Sequence, residues 1–186
     1  MNKIELQLPT FLHKTAAENF KNEFFEMQEH IINGSALFDQ MEYDEWLIHN
    51  TNNRHESTVS RDWVAATTFF AVRISDNKII GMIDIRHNLE NEFLTQYGGH
   101  IGISVRPSER KKGYATEMLR LGLEYAKSLN IEKVMVACYS DNIPSVRVIE
   151  KCGGILSEVK PYVAINEFNL PYDNEKPVNI YWIFQS

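Results

Sequence analysis

The chain has few cysteines and no long apolar run, and both absences narrow what it can be. Its 186 residues include two cysteines, Cys138 and Cys152, which are too far apart for a CxxC motif and have no histidine cluster near them. Neither a disulfide scaffold nor a metal site is indicated, and we expect two reduced, packed thiols. No apolar run is long enough to cross a bilayer, and the first residues do not form a secretory leader. We therefore expect a cytoplasmic protein that does not contact a membrane.

Positive charge is also scarce. The 19 lysines and arginines are outnumbered by 25 aspartates and glutamates, which gives a formal net charge of -6. A nucleic-acid-binding protein needs a cationic surface to displace counterions from phosphates, so the charge argues against a nucleic-acid partner. An acidic surface suits cationic ligands such as amines, although many proteins are acidic for solubility alone.

Apolar periodicity divides the chain into alternating strands and helices. Seven segments have the pattern of a strand, and these are Ile4–Leu8, Thr67–Ile74, Lys78–Arg86, His100–Arg106, Val134–Tyr139, Ile155–Val159 and Asn179–Phe184. Four segments have helical spacing, and these are 11–24, Tyr43–His49, Tyr114–Ser128 and a short helix that begins at Asp141-Asn142 and ends at Gly153-Gly154. Ser75-Asp76-Asn77 has the composition of a hairpin turn. The order predicts one α/β domain with a mixed sheet.

A basic turn joins the strand that ends near Val105 to the helix that follows it. Between Val105 and Ala115 the sequence has four cations and one anion. The first amides of a helix have no internal partners and carry the positive end of its dipole, so they can bind a phosphate, and Gly113 would allow a close approach. A short charge run is equally often only a solvated turn. The P-loop and the dinucleotide-binding GxGxxG motif are both absent, so a phosphate would be bound in another way.

Two signatures here resemble those of the GNAT acyltransferase superfamily. Arg110-x-x-Gly113-x-Ala115, after a strand, resembles the pyrophosphate loop of that superfamily. Asn142-x-x-Ser145, in a helix that ends with Glu150-Lys151-Cys152-Gly153, resembles its second signature. The resemblance covers about Gly98 to Val159 and implies an acetyl-CoA-dependent N-acetyltransferase, with an amine of a small molecule or a protein as the acceptor.

The resemblance also implies a fold. The sheet would be mixed and mostly antiparallel, with about seven strands and flanking helices. The strand that contains Ile103 and Val105 would splay from the strand Val134–Tyr139, and the pantetheine arm would lie in the wedge between them. Residues 1–66 would supply the N-terminal strand, helices and acceptor-side loop, 67–160 the acyl-CoA-binding core, and 161–186 the C-terminal loop and strand.

The implied cofactor site consists mainly of backbone groups. The pyrophosphate would bind the amides of 110–115, and Asn142 and Ser145 would contact the pantetheine and adenosine side. Asn142 could also be the N-cap of its helix, or do both. The implied cofactor-binding residues are Ile103, Ser104, Val105, Arg110, Lys111, Lys112, Gly113, Tyr114, Ala115, Thr116, Asn142 and Ser145, and no metal is implied.

In this superfamily the amine attacks the thioester directly, so neither cysteine is needed as a nucleophile. An ordinary lysine-like amine has a pKa of about 10.4, and its deprotonation at pH 7 costs roughly 4.6 kcal/mol. A base or a water relay must therefore help. The candidate bases are His100, Asp84, and Glu90 or Glu92, although a lone histidine at a strand edge is more often structural. The amide near Ile103 or Ser104 is the candidate oxyanion donor.

The sequence departs from the superfamily at the general acid. The usual tyrosine of the second-signature helix aligns with Val148-Ile149, which has no hydroxyl. Tyr139 could replace it, or the thiolate could take a proton from water, and Tyr139 could equally be an aromatic cap on the core. The departure leaves two alternatives open, which are a non-catalytic acyl-CoA sensor and a partner protein with a decayed site.

The sequence does not specify the acceptor or the length of the acyl group. Acceptor choice is expected in 23–62 and in 161–177, where no recognisable code exists. Glu42, Asp44, Glu45 and Trp46 could form an acidic, aromatic mouth for a cation, or an exposed helix face. The late strand Tyr181–Phe184 could pair across a homodimer, or it could be a buried strand.

Overall fold

The computed structural model describes residues 3–163 and 176–185, and it contains two half-sheets with helices on both faces. The strands are β1 (Ile4–Gln7), β2 (Ala66–Arg73), β3 (Lys78–Arg86), β4 (Ile101–Val105), β5 (Lys133–Tyr139), β6 (Ile155–Pro161) and β7 (Pro177–Phe184). The helices are α1 (Lys14–Glu26), α2 (Tyr43–Asn53), α3 (Tyr114–Ser128) and α4 (Ile143–Lys151). The predicted α/β class with a mostly antiparallel sheet is confirmed, and each predicted strand and helix has a counterpart.

The first half-sheet has the order β1-β2-β3-β4, and all of its pairs are antiparallel. The predicted hairpin joins β2 to β3, and Asn77 occupies the left-handed region with φ of 56°. The Asp76 carboxylate accepts hydrogen bonds from the Arg73 guanidinium at 2.8 and 2.7 Å. These local bonds explain why the turn can be predicted from its composition.

The second half-sheet has the order β5-β7-β6, so β7 lies between two partners. Both edges of β7 are therefore occupied, so Tyr181–Phe184 belongs to an internal strand in which Tyr181 and Ile183 are buried and Phe184 is 62% exposed. Acceptor choice was also expected in the tail 161–177. Most of that tail, residues 164–175, lies outside the described residues.

Helices cover both faces of the first half-sheet. Because side chains alternate along a strand, Phe69 packs with Met118 of α3 on one face, and Phe70 packs with Phe20 of α1 and Trp46 of α2 on the other. A strand buried on both faces lacks the polar alternation of a half-exposed strand, and in β2 four consecutive apolar residues, Phe69–Val72, follow two buried threonines. None of the helices in these described ranges combines the length and the apolarity that a membrane span needs.

The N-terminal helix departs from the prediction at its start. Phe11 and Leu12 form a short 3-10 turn before α1, and they are 72% and 95% exposed. The apolar stripe of α1 consists of Ala17, Phe20 and Phe24. Phe11 and Leu12 match the helical spacing, but the chain turns before their side chains can reach the sheet.

Candidate functional site

The two half-sheets meet just before β4. The His100 amide donates to the Met135 carbonyl oxygen at 2.8 Å, and the His100 imidazole Nδ1 accepts from the Met135 amide at 3.0 Å. Gly99 has φ of 62°, and a Cβ there would lie 2.6 Å from the Met135 carbonyl oxygen, so this approach requires glycine. Among the residues that the structure describes, no ladder joins β4 to β5 beyond this joint, so the strands leave a wedge.

Hydrogen-bond alternation along β4 decides which of its amides face the wedge. The Arg106 amide donates to the Ile80 carbonyl oxygen of β3 at 2.7 Å. Successive amides of a strand point to opposite edges, so the Ser104 amide is directed at β3 and the Ile103 amide at the β5 side. Of the two predicted oxyanion donors, Ile103 is the one whose amide points into the wedge.

The loop after β4 leads into an uncapped start of α3, and we call this segment (residues 110–116) the cradle. Gly113 precedes the helix with φ of 86°, and no side chain caps the helix N-terminus. Lys111 also has a positive φ, 62°, and its side chain is exposed. The amides of the first turn, which include those of Tyr114, Ala115 and Thr116, therefore lack a side-chain partner. The predicted pyrophosphate-binding residues are thus brought to one uncapped helix end.

Acidic residues far upstream compensate the positive charge of this loop. Arg106 pairs with Glu23 at 2.7 Å. Arg110 forms two bonds of 2.6 Å to Glu29. The sequence count of four cations against one anion was therefore misleading, because the compensating carboxylates come from α1 and the segment after it. Anion binding at this loop would depend on the backbone amides and Lys111 rather than on the side chains of Arg106 and Arg110.

Glu109 braces the loop against the β2–β3 hairpin. Its buried carboxylate accepts from Arg73 at 3.0 Å, from Lys78 at 2.9 Å and from Lys112 at 2.9 Å. Burial alone would raise the pKa of Glu109, but the hydrogen bonds from Lys78 and Lys112 and the charges of Lys78 and Arg73 outweigh it and lower the pKa to about 2. Glu109 is thus ionised at neutral pH and fixes the loop to the sheet.

The second signature begins α4 at the end of β5. Asn142 is the N-cap, and its side-chain oxygen accepts from the Ser145 amide at 3.3 Å. The N-cap alternative is therefore observed, and Ser145 lies in the first turn. The Cys152 thiol lies 3.7 Å from the Thr116 carbonyl oxygen, which places the end of α4 beside the start of α3. The two signatures are neighbours in space.

His100 has a structural role in the joint. Its Nδ1 lone pair accepts a backbone hydrogen bond, so the neutral ring carries its proton on Nε2 and has no free lone pair for an amine proton. Burial and the nearby Arg86 charge lower the pKa of His100 to about 4. This geometry favours the structural alternative for His100 over the role of general base.

Asp84 lies on β3 opposite Gly102 and is 4% exposed. Its Oδ1 accepts from the Thr68 hydroxyl at 2.9 Å, and its Oδ2 pairs with Arg86 Nε at 3.0 Å. Arg86 also donates to the Gly98 carbonyl oxygen at 3.2 Å. Sequence reasoning missed Arg86, although its spacing of two from Asp84 on a strand places both on one face. The structure thus holds a carboxylate and a guanidinium together near the joint.

Tyr139 packs on the face of β5 opposite to α4. It belongs to the aromatic cluster that includes Tyr97 and Trp182, whereas Val148 and Ile149 of α4 pack with the other face. Burial, the largest effect, raises the pKa of Cys138 to about 11, so this thiol is protonated at neutral pH. Tyr139 does not occupy the place of the missing helix tyrosine, and Cys138 does not have the properties of a nucleophile.

Of the two alternatives for Glu42, Asp44, Glu45 and Trp46, the structure shows the exposed helix face rather than an acidic, aromatic mouth. Trp46 is fully buried, and its Nε1 donates to the Ser35 carbonyl oxygen at 2.8 Å. Asp44 pairs with Lys14 at 2.6 Å. Trp46 packs against the first half-sheet, while its charged neighbours are exposed. Glu42, Asp44 and Glu45 are instead part of a helix face.

A surface cleft of about 710 Å³ lies between 56–65 and 88–91. Its lining includes Glu56, Asp62 and Glu90, with Arg61 as a cation and Trp63 as an aromatic wall. Glu90, a candidate base, thus lies in an open acidic cleft, and Glu92 is exposed. The described residues contain no cluster of three or more potential metal ligands.

The sequence of this chain is similar to those of known acetyltransferases. The sequence profile described as acetyltransferase (GNAT) domain matches residues 11–155. The uncharacterized N-acetyltransferase YnaD of Bacillus subtilis (strain 168) is 38% identical over 65 residues, which span 33% of this chain and 38% of YnaD. The SPbeta prophage-derived uncharacterized N-acetyltransferase YokL of the same strain is 32% identical over 130 residues, which span 63% of this chain and 68% of YokL.

Solved structures extend the likeness to the whole fold. The microcin C7 self-immunity acetyltransferase MccE, solved in complex with acetyl-CoA and AMP, has a TM-score of 0.65 and 19% identity, and the match covers 99% of this chain and 93% of that chain. At this identity the likeness shows the fold, and the sequence matches carry the family.

Proposed function

The chain belongs to the GNAT family of acetyl-CoA-dependent acetyltransferases, and from that premise we propose that it transfers the acetyl group of acetyl-CoA directly to an amine, without an acyl-enzyme. The observation that carries the proposal is the wedge between β4 and β5, with the uncapped start of α3 at its end. An uncapped helix N-terminus beside an open strand edge fits a thioester substrate whose pantetheine arm is joined to a pyrophosphate.

The donor would bind mainly through backbone groups. The edge of Ile103–Val105 would bind the pantetheine arm, and the amides of 110–116 would bind the pyrophosphate. Asn142 and Ser145, at the start of α4, would contact the pantetheine and adenosine side. The left-handed Gly113 supports this assignment because the chain can approach a phosphate there without a Cβ in the way.

In the reaction the amine nitrogen attacks the thioester carbonyl, the C–N bond forms, and the C–S bond breaks as CoA leaves as a thiolate. The Ile103 amide, directed into the wedge, would stabilise the oxyanion of the tetrahedral intermediate. The leaving thiolate would take a proton from water, because Tyr139 lies on the face of β5 opposite to α4. The protonated state of Cys138 is consistent with direct attack.

We assign the acceptance of the amine proton to Asp84, acting through water. Its carboxylate lies one strand from β4, and each oxygen has one protein donor and a further lone pair. The Thr68 hydroxyl and Arg86 hold its orientation. The acidic cleft that contains Glu56, Asp62 and Glu90 supports a cationic amine as the acceptor.

The first experiment is a thermal shift of the purified protein with acetyl-CoA, with ATP and NAD as controls. At about 100 times the dissociation constant, a ligand adds roughly 2.7 kcal/mol and raises the melting temperature by several degrees. A shift with acetyl-CoA alone is expected. No shift from a folded baseline would contradict the donor assignment.

A second experiment separates an enzyme from a sensor. The absence of a hydroxyl at Val148-Ile149 favours a non-catalytic acyl-CoA sensor as the second candidate. Free-thiol release from acetyl-CoA is measured with a panel of amino acids, polyamines, antibiotics and peptides. Release that depends on an amine identifies an enzyme, whereas a thermal shift without release on any amine would identify a sensor.

A further inference from the structure

The segment from the end of α1 to Gly34, which we call the strap (residues 23–34), crosses β4 and the loop that follows it. The Asn33 carbonyl oxygen accepts from the Ser104 hydroxyl at 2.6 Å. A Cβ on Gly34 would lie 2.2 Å from the Gly102 carbonyl oxygen, so the two backbones are in direct contact. The strap therefore covers the face of β4 opposite to α3.

Glu23 attaches the start of the strap to the turn after β4. One oxygen of its carboxylate accepts from Arg106 at 2.7 Å, and the other accepts from the Ser108 amide at 2.7 Å. Arg106 is itself buried, and its Nε donates to the Ile79 carbonyl oxygen at 2.7 Å. This end of the strap is fixed to the sheet as well as to the turn.

Glu29 attaches the middle of the strap to the cradle. Its two carboxylate oxygens each accept from Arg110 at 2.6 Å, in a parallel, bidentate arrangement. The Arg110 guanidinium also lies 5.5 Å from the centre of the Phe24 ring, and its Nε donates to the Val105 carbonyl oxygen at 3.2 Å. Each of the three guanidinium nitrogens of Arg110 thus donates to a protein group, and Glu29 neutralises its charge.

Arg110 therefore belongs to the cradle through its backbone and contacts the strap through its side chain. The Arg110 backbone lies in the predicted pyrophosphate cradle, and its side chain holds the strap. We propose that Glu29 is a positioning residue that, by holding Arg110, couples donor binding in the cradle to the order of the strap over β4.

The coupling follows from linked local equilibria. A pyrophosphate on the cradle amides restricts the Arg110 backbone, so less conformational entropy is lost when Glu29 binds the guanidinium. Opening of the strap then becomes rarer while the donor is bound. By reciprocity, an ordered strap favours the donor-bound state by the same factor. Because the strap covers the face of β4 away from α3, donor binding would prepare the acceptor side before the amine arrives.

Hydrogen–deuterium exchange tests this coupling without a known acceptor. Exchange of the strap amides is measured with and without CoA in the wild type and in Glu29→Gln. In the wild type, saturating CoA is expected to slow exchange about fivefold or more, within the usual range of coupling between sites. In Glu29→Gln the slowing is lost, and the CoA dissociation constant rises by no more than the coupling factor itself, about fivefold.

Two further variants distinguish coupling from a general loss of structure. Glu26→Gln is the matched control, because Glu26 is an exposed carboxylate at the last residue of α1, three residues before Glu29, with no ion pair in the described ranges. It is expected to behave as the wild type. Glu29→Asp keeps the charge but shortens the reach to Arg110, so it should recover part of the slowing.

The inference rests on the proposed donor site, and the outcomes separate the two. Full slowing in Glu29→Gln, or none in a wild type whose melting temperature rises with CoA, overturns the coupling and leaves the donor site intact. A wild type whose melting temperature is unchanged by CoA and acetyl-CoA overturns the donor site, and the coupling with it.

Discussion

Replacement of Glu109 by glutamine would remove the negative charge that three cations share. The Glu109 side chain is 5% exposed, and its partners Arg73, Lys78 and Lys112 lie within 3.0 Å. The variant keeps the shape of the side chain but leaves three cations near a neutral amide. The loop that precedes α3 would lose its brace to the β2–β3 hairpin, so both stability and donor affinity should fall.

The magnitude follows from the pKa of the carboxyl group. The pKa of Glu109 is lowered from 4.5 to about 2 in the folded protein, and each unit corresponds to about 1.4 kcal/mol. The full shift would give about 3 kcal/mol, but Lys112 is 53% exposed and Lys78 is 35% exposed, so solvent screens part of it. We expect Glu109→Gln to lower the free energy of unfolding by about 2 kcal/mol at pH 7.

The lowered pKa of Glu109 also determines how the stability difference between the wild type and Glu109→Gln changes with pH. Because the folded-state pKa is depressed, the stabilisation is present above the unfolded-state pKa near 4.5 and is lost as the pH falls through about 2. Urea denaturation of the wild type and the variant should therefore give curves whose difference is constant from pH 7 to about pH 5 and shrinks below it. Glu124→Gln, an exposed carboxylate on α3, is the control and should change little.

Two results would refute this reasoning. A difference in the free energy of unfolding below about 0.5 kcal/mol at pH 7 would mean that the three cations stabilise Glu109 no more than an ordinary surface salt bridge would. A difference that does not change between pH 6 and pH 3 would mean that the loss comes from packing rather than from charge.

Gly113→Ala and Gly153→Ala both place a side chain at a left-handed glycine, so each should lose about 1 to 2 kcal/mol of stability. Only Gly113→Ala should weaken acetyl-CoA binding by calorimetry, by roughly tenfold or more, and equal affinities would remove Gly113 from the donor site. His100→Ala leaves the buried Met135 amide without an acceptor and should cost about 1 to 3 kcal/mol, with an unchanged pH profile of kcat; loss of the ascending limb on the acidic side of that profile would restore His100 as the base. Burial and Arg86 lower the His100 pKa to about 4, so wild-type stability should also decline as the pH falls from 6.5 towards 4. Cys138→Ala should retain turnover, and in the wild type Cys138 should react slowly with iodoacetamide at pH 8 because its pKa is raised to about 11. Loss of turnover in that variant would reopen an acyl-enzyme route.

Features decided by near neighbours in sequence were predictable. The hairpin at Ser75-Asp76-Asn77 and the N-cap of Asn142 depend on hydrogen bonds between residues two to three apart. The left-handed glycine before α3 is likewise local. The two signatures therefore predict where α3 and α4 begin.

Features decided by distant partners were not predictable. Glu29 lies 81 residues from Arg110, and Glu23 lies 83 residues from Arg106. The sequence therefore indicated a loop with unpaired positive charge, whereas in the fold these two arginines are paired with carboxylates. His100 was a candidate base until the structure paired its Nδ1 with an amide 35 residues away.

The sequence by itself determined the elements, their order and the backbone cradle, because helix ends, turns and apolar periods depend on short-range sterics and hydrogen bonds. The tertiary structure alone decided which face each strand buries, which charges are compensated and which candidate bases remain available. Those outcomes depend on contacts between segments that no short-range pattern encodes. At this site, the charge and hydrogen bonding of each ionisable group are set by partners that only the folded chain brings together.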